Sequence, residues 1–270
     1  MPNKLLSKLS LIKNQARRIN ALEAERALLR EKLTAAESLL AACDCLPVPP
    51  ESLRVRVGGW EDADHFLGVG RKIFWDLKRL LKGVGRGFES FGSVMDFGCG
   101  CGRVIRHLSP APGQAIVGVD IDPEAIGWCA GHLGRIAEFR TCGHLPPLPF
   151  PDQTFDFVYC ISVFTHLPEE MQSRWLEELR RVIRKRGVLI ASVHGEGLLP
   201  AGDPEIAGRF KREGFIYVKG GGTEGLPEFY QSTYHAPAYI ERTWGRFFDV
   251  KNIQPRAINN HQDAVVCLRR

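Results

Sequence analysis

The residues best suited to do chemistry stand in one glycine-rich run, Val94-Met95-Asp96-Phe97-Gly98-Cys99-Gly100-Cys101-Gly102-Arg103. An apolar stretch ends in an acid and then turns on alternating glycines. Glycine lets backbone approach a ligand closely, and a helix beginning at about Arg103 would offer its positive N-terminal end. The spacing is not that of a dinucleotide dehydrogenase, because Arg103 stands where the third glycine belongs. Nor is it a phosphate-cradling P-loop, which needs Gly-Lys-Ser/Thr. A second acid, Asp120, closes Ile116-Val117-Gly118-Val119-Asp120, eighteen residues past Gly102. A carboxylate at a strand end is placed to accept the two ribose hydroxyls of an adenosine. Asp122-Pro123 then reads as the N-cap and first turn of a helix.

These acids need strand ends to stand on. Short apolar runs rich in β-branched residues occur at 93–97, 115–120, 136–141, 155–161 and 188–193. Helical stretches separate them, and 168–185 carries Met171, Trp175, Leu176, Leu179, Val182 and Ile183 on one face. Strands alternating with helices predict an α/β fold with a parallel sheet covered on both faces. The C-terminal end departs from that rule. Residues 237–246 read as a helix, and 247–253 and 264–269 as strands joined by a polar loop at 259–262. Two strands without an intervening helix must pair antiparallel. Residues 195–236, with Gly220–Gly222, Phe210, Phe215, Tyr217, Phe229, Tyr230 and Tyr234, read as a long irregular insertion. Such a segment is a binding lid or a disordered excursion.

Residues 1–46 differ in character. With Leu5 as heptad position a, that position holds Leu5, Ile12, Ile19, Arg26, Leu33 and Leu40, and position d holds Lys8, Gln15, Leu22, Leu29, Ala36 and Cys43. The pattern predicts either a short coiled coil, able to form a homodimer, or one amphipathic helix docked on its own domain. Pro47, Pro49 and Pro50 end it. The expected organisation is 1–46, then covering helices in 47–90, then the domain at 91–270.

Composition bounds the rest. With 44% hydrophobic and 25% charged residues and a net charge of +5, the chain reads as a globular protein. No run reaches the roughly 20 apolar residues that span a bilayer, so no membrane span is expected. No secretion signal is read either. The eight cysteines read as reduced thiols of a cytoplasmic protein. The pairs Cys43-x-Cys45 and Cys99-x-Cys101 are too tightly spaced for zinc, and no metal is expected.

The two acidic strand ends, the run Pro147-Leu148-Pro149-Phe150-Pro151-Asp152-Gln153-Thr154-Phe155-Asp156-Phe157-Val158, and the stretches at Ser162–Leu167 and Trp175–Val182 together carry a resemblance. Residues 91–270 resemble the class I S-adenosylmethionine-dependent methyltransferases, and within them the bacterial type 11/12 group, some of which accompany glycan assembly. The resemblance implies a Rossmann-like, mostly parallel seven-stranded sheet with a C-terminal antiparallel hairpin. It implies S-adenosyl-L-methionine as cofactor, cradled by Asp96, Phe97, Gly98, Cys99, Gly100 and Gly102. Asp120 would hold the ribose and Ile121 would pack on the adenine. Cys142, Gly143 and His144 would edge the adenine, with His144 where relatives often carry an aspartate. Cys160 and Ile161 would stand beside the sulfonium. At Arg184-Lys185-Arg186-Gly187, expected on a turn before the fifth strand, relatives commonly read Pro-Gly-Gly.

Methyl transfer needs alignment and exclusion of water, and a base only where the acceptor must lose a proton. His166, just past the fourth strand, and His194, at the end of the fifth, are the candidates. The plainer readings are a helix-start histidine bonding backbone and a surface histidine. His261, Gln262 and Asp263 read as turn formers. The expected activity is methylation, at oxygen, of a small-molecule or glycan acceptor. The alternatives are a catalytically silent cofactor-binding module and an RNA or protein methyltransferase. Nucleic acid ranks low, since the basic clusters at Arg71–Arg86 and Arg180–Arg186 accompany no nucleic-acid module.

Overall fold

Strands that are apolar on both faces demand a covered sheet, and the computed structural model builds one. It describes residues 46–200, 202–219 and 227–270, with positions 15, 18, 19, 22, 23, 25, 26 and 29. Five parallel strands form the centre: β1 (Ser93–Phe97), β2 (Ala115–Asp120), β3 (Glu138–Thr141), β4 (Phe155–Cys160) and β5 (Ile183–Val193). The hairpin β8 (Asp249–Ile258) and β9 (Gln262–Leu268) adds antiparallel through β9, giving the order β3-β2-β1-β4-β5-β9-β8. All five residues of β1 are buried, as a central strand flanked by two layers requires.

Helices cover both faces. α1 (Glu51–Gly58) and α2 (Ala63–Gly83) precede the sheet, α3 (Pro123–Leu133) follows β2, and α4 (Glu169–Val182) follows β4. α2 starts where Asp62 accepts from the amides of Asp64 and His65, and it buries Phe66, Val69, Ile73, Leu77 and Leu80 at helical spacing. α3 begins with Asp122 as N-cap and Pro123 in its first turn, as the sequence predicts. On the other face Trp175 of α4 packs on Phe97 of β1, their rings 4.7 Å apart.

Three expectations are corrected. No α-helix starts at Arg103; the chain makes consecutive turns and a single 3-10 turn, Ile105–His107. Helix α2 takes the space at this point, with Gly70 so close that a methyl group there would overlap the carbonyl oxygen of Arg103. Second, 195–236 is not irregular. Its described residues form α5 (Pro204–Glu213) and the antiparallel ribbon of β6 (Phe215–Val218) and β7 (Ser232–His235), before α6 (Pro237–Trp244). The glycines at 220–222 lie outside the described residues. Third, Arg184–Gly187 lies inside β5, in an irregularity where Phe155 faces Ile183 but Phe157 faces Val188. Arg184 bonds Asp156 there, at 2.8 Å.

The chain divides into two compact units, 1–46 and 47–270. In the first, the described positions are helical, and Ile19, Leu22 and Leu29 are each more than half exposed. The other predicted heptad positions, Leu5, Ile12, Leu33, Leu40, Lys8, Ala36 and Cys43, lie outside the described residues, as does the Cys43-x-Cys45 pair. Among the described residues no helix is long and apolar enough to cross a membrane, and no cluster of ligands could hold a metal ion.

Because Gly70 is pressed against backbone and not a flexible side chain, Gly70→Ala should destabilise residues 47–270 by about 2 kcal/mol. A urea unfolding midpoint that stays at the wild-type value would contradict this contact.

Candidate functional site

The site lies at the C-terminal ends of β1 and β4, where the chain reverses its direction of travel across the sheet. Open parallel sheets leave a crevice at that point. The glycine turn forms its floor. The Gly98 and Cys99 amides both donate to the Val119 carbonyl, at 2.8 and 3.0 Å, which ties the turn to β2. Gly98 has φ +82°, and a Cβ there would strike Val163. The Gly100 amide donates to Asp120 Oδ2 at 2.7 Å, while Asp120 Oδ1 accepts from the Asp122 amide at 2.9 Å. Asp120 thus holds the turn in shape and still faces the cavity.

That cavity, of about 1040 Å³ with its mouth, is lined by Asp96, Phe97, Gly98, Cys99, Gly100, Asp120, Ile121, Cys142, His144 and Ile161 among the residues expected from sequence. Three other expected residues stay outside it. Cys160 is fully buried in the core because strand alternation turns it away from the neighbouring Ile161. A Cβ on Gly102 would meet Leu133 of α3, so this glycine serves helix packing. Gly143 lies between two lining residues without contributing. Sequence reasoning missed several walls: Arg56 and Val57 of α1, Arg103, Val163, Leu167, Trp175, Phe229 and Tyr230. The aromatic content of the insertion hinted at the last two. The covering helices expected in 47–90 include α1, but the sequence did not single out Arg56 or Val57, since its apolar side chains show no clear stripe.

The electrostatics are set by burial. Asp96 is 2% exposed and accepts from the Tyr159 hydroxyl at 2.9 Å. Removal from water pushes its carboxyl up to about 7, although the Tyr159 bond pulls the other way. Burial also raises Asp120 and holds the Cys99 and Cys142 thiols protonated, so neither thiol is a nucleophile at neutral pH.

A second, more open chamber of about 1400 Å³ adjoins the first. Arg56, Val57, Arg103, Ile161, Ser162 and Tyr230 line both, so they form the wall between them. Its other sides are the α1–α2 connection with Trp60, Val69 and Ile73 of α2, His166, and the β8–β9 turn with Ile258, Asn259, His261 and Gln262. The turn residues do more than turn the chain: His261 and Gln262 face this space, and Gln262 bonds Ser162 across it at 3.0 Å.

His166 lies here, stacked on Tyr230 with centroids 3.9 Å apart. Its Nδ1 is 2.9 Å from the Gln231 carbonyl. A carbonyl only accepts, so Nδ1 carries the hydrogen and Nε2 is the open acceptor. Burial lowers this imidazole to about 4. His194 is likewise lowered to about 4 by burial, then by His166 and His261. It lines neither cavity; its ring stands 6.0 Å from His166 and 6.4 Å from His261, with Nδ1 buried and unbonded.

A family described as a methyltransferase domain matches residues 95–191. The chain is 26% identical over 159 residues to the N-terminal Xaa-Pro-Lys N-methyltransferase 1 of Danio rerio, covering 57% of this chain and 69% of that protein. It is 27% identical over 184 residues to the cycloartenol-C-24-methyltransferase of Arabidopsis thaliana, covering 65% of this chain and 52% of that one. The chain therefore spans about half to two thirds of these relatives. A solved S-adenosylmethionine-dependent methyltransferase from Aquifex aeolicus matches in fold, with TM-score 0.51 at 17% identity, covering 80% of this chain and 98% of that one.

The tautomer and the lowered basicity of His166 make a spectroscopic prediction. In the long-range ¹⁵N–¹H spectrum, its Nε2 should resonate as an unprotonated nitrogen from pH 8 down to about pH 5. A midpoint near the ordinary value of 6.5 would show that the ring is solvated and not held.

Proposed function

The chain belongs to the class I S-adenosylmethionine-dependent methyltransferases, and from that premise we propose that it methylates the oxygen of a small-molecule or glycan acceptor seated in the second chamber. The observation that carries this reading is His166, a neutral imidazole that lines the chamber, with its Nδ1–H committed to Gln231 and its Nε2 left as an acceptor. A hydroxyl acceptor must lose a proton as its oxygen is alkylated, and Nε2 is there to take it. His194 stands behind His166 as a ring neighbour, and its part is to position it.

The first cavity fits S-adenosylmethionine. Asp96 offers a buried carboxylate, and at Gly98 and Gly100 a Cβ would close on Val163 and Val57, so the turn keeps the floor low. Asp96 would take the methionine ammonium and Asp120 the ribose hydroxyls, with Ile121, Cys142 and His144 against the adenine. When bound, the cofactor supplies a methyl carbon activated by its sulfonium. Phe229, Tyr230 and Val57 would shield this cavity from water, and the α1–α2 connection lines the second chamber. The relatives are named for N-methylation of an N-terminal Xaa-Pro-Lys and for C-24 methylation of cycloartenol. Six described cysteines are free thiols, which suits a reducing cytoplasm.

The exposed Ile19, Leu22 and Leu29 fall on heptad positions a and d, and this supports self-association of the N-terminal helix into a homodimer. Light scattering should give twice the chain mass for the full protein and a single mass for residues 47–270; equal states would remove the helix from that role.

Calorimetry tests the cofactor reading. Asp120→Ala should weaken S-adenosylmethionine binding by about 2 kcal/mol, the worth of hydrogen bonds to a charged group. An ammonium favours ionised Asp96, whose carboxyl sits at about 7, so affinity should rise from pH 6 to pH 8, with proton release on binding below 7. His166→Gln should leave binding intact and slow transfer to a hydroxyl acceptor by about 10²-fold or more. Undiminished binding in Asp120→Ala would defeat the ribose assignment.

A further inference from the structure

Helix α2 has two faces, and only the inner one belongs to the chambers. Val69 and Ile73 wall the second chamber, whereas Trp75 lines neither cavity. At 42% exposure, its indole is the largest apolar side chain that the described residues leave in solvent. Arg71 lies one turn before it, and Lys78, Arg79 and Lys82 follow at three-, four- and seven-residue spacing, which places all four on the indole's side of the helix. The Lys78 ammonium stands 5.2 Å from the indole centroid. Residues 71–88 hold six cations against the single acid Asp76, an excess as large as the +5 of the whole chain. Asp76 is buried and already committed to Lys72, Arg79 and the Asn259 amide. Arg71 and Lys82 make no ion pair among the described residues.

A basic face that only keeps a protein in solution needs no indole at its centre. A nucleic-acid strand is held in a groove with stacking aromatics, and this face is the convex side of one helix. An indole amid lysines and arginines suits the headgroup layer of an anionic membrane: the ring settles at the interface, the apolar stems lie along it and the charged ends reach the phosphates. We propose that the outer face of α2 docks the protein on an anionic phospholipid surface, with Trp75 as its anchor. The proposal goes beyond the methyl-transfer reading and does not rest on it. The helix is tied to the chamber on its other side. Asp76 accepts from the Asn259 amide at 2.8 Å, Arg79 donates to the Ala257 carbonyl at 2.8 Å, and Ile258 and Asn259 line the second chamber. A docked molecule thereby holds that chamber close to the lipid surface.

The test sediments the full chain with vesicles of phosphatidylserine and phosphatidylcholine in equal parts, and with vesicles of phosphatidylcholine alone. The protein should bind the first and not the second, and added salt should release it, because salt screens surface charge. Each surface cation removed costs about fivefold in partition, so Arg71→Gln combined with Lys82→Gln should weaken binding by about 25-fold. Trp75→Ala should weaken it by about 10-fold, and should remove most of the fluorescence quenching that brominated phosphatidylcholine causes in the wild type. Arg180→Gln combined with Lys185→Gln, in the other basic cluster, should leave partition unchanged. These are surface side chains, so every variant should keep the wild-type affinity for S-adenosylhomocysteine. Equal partition of the wild type and the Arg71/Lys82 variant overturns the proposal. So does an equal loss in the Arg180/Lys185 variant, which would mark bulk charge and not this face. Absence of vesicle binding by the wild-type chain also overturns it, and retention on single-stranded RNA would then assign the face to nucleic acid. A chain that binds no S-adenosylhomocysteine defeats the first-cavity reading instead, and the vesicle partition still decides the role of α2.

Discussion

The Asp120 carboxylate is the joint on which the site is built. One oxygen accepts from the Gly100 amide and the other from the Asp122 amide. It therefore binds the turn after β1 to the start of α3, across the end of β2. The turn needs such a tie because no helix follows it. Its amides are not consumed by helical bonds, and the Val119 carbonyl and the Asp120 carboxylate take three of them. A carboxylate used this way is removed from water, and its ionisation is displaced upward. The same group that shapes the floor is thus poised to gain further hydrogen bonds from a ligand's hydroxyls.

Around that joint, two buried charges, Asp96 and Arg103, line the same cavity and feel each other's field. Asp96 is buried with the Tyr159 hydroxyl on it, and Arg103 against the Trp60 face. Low-dielectric surroundings make each costly alone and each responsive to an opposite charge. The two face different chambers to different degrees: Asp96 lines only the first, while Arg103 is turned toward Trp60 in the second.

The covering segments decide what reaches the chemistry. α1 and the α1–α2 connection close one side, and the insertion places Phe229 and Tyr230 on another. Tyr230 is fixed by stacking on His166, and His166 in turn by the carbonyl next to Tyr230. The ribbon of β6 and β7 holds this pair against the sheet through the Thr233 amide on the Thr165 carbonyl and the His235 amide on that of His194. The insertion and His166 are one mechanical unit.

By itself the sequence determined the alternation of strands and helices, the two acidic strand ends, the N-cap at Asp122 and the antiparallel close of the sheet. Each follows from local chemistry: apolar periodicity, glycine at a tight turn, an acid before proline. It misplaced a helix at Arg103, because the obstacle is Gly70 of α2, some thirty residues away in the chain. The resemblance implied Cys160, Gly102 and Gly143 as cofactor contacts, whereas strand alternation and helix packing turn the first two elsewhere. Only the tertiary structure brought α1, Trp60, Tyr230 and the β8–β9 turn around one chamber. Those walls come from segments far apart along the chain, and no local pattern records which of their side chains will share a space.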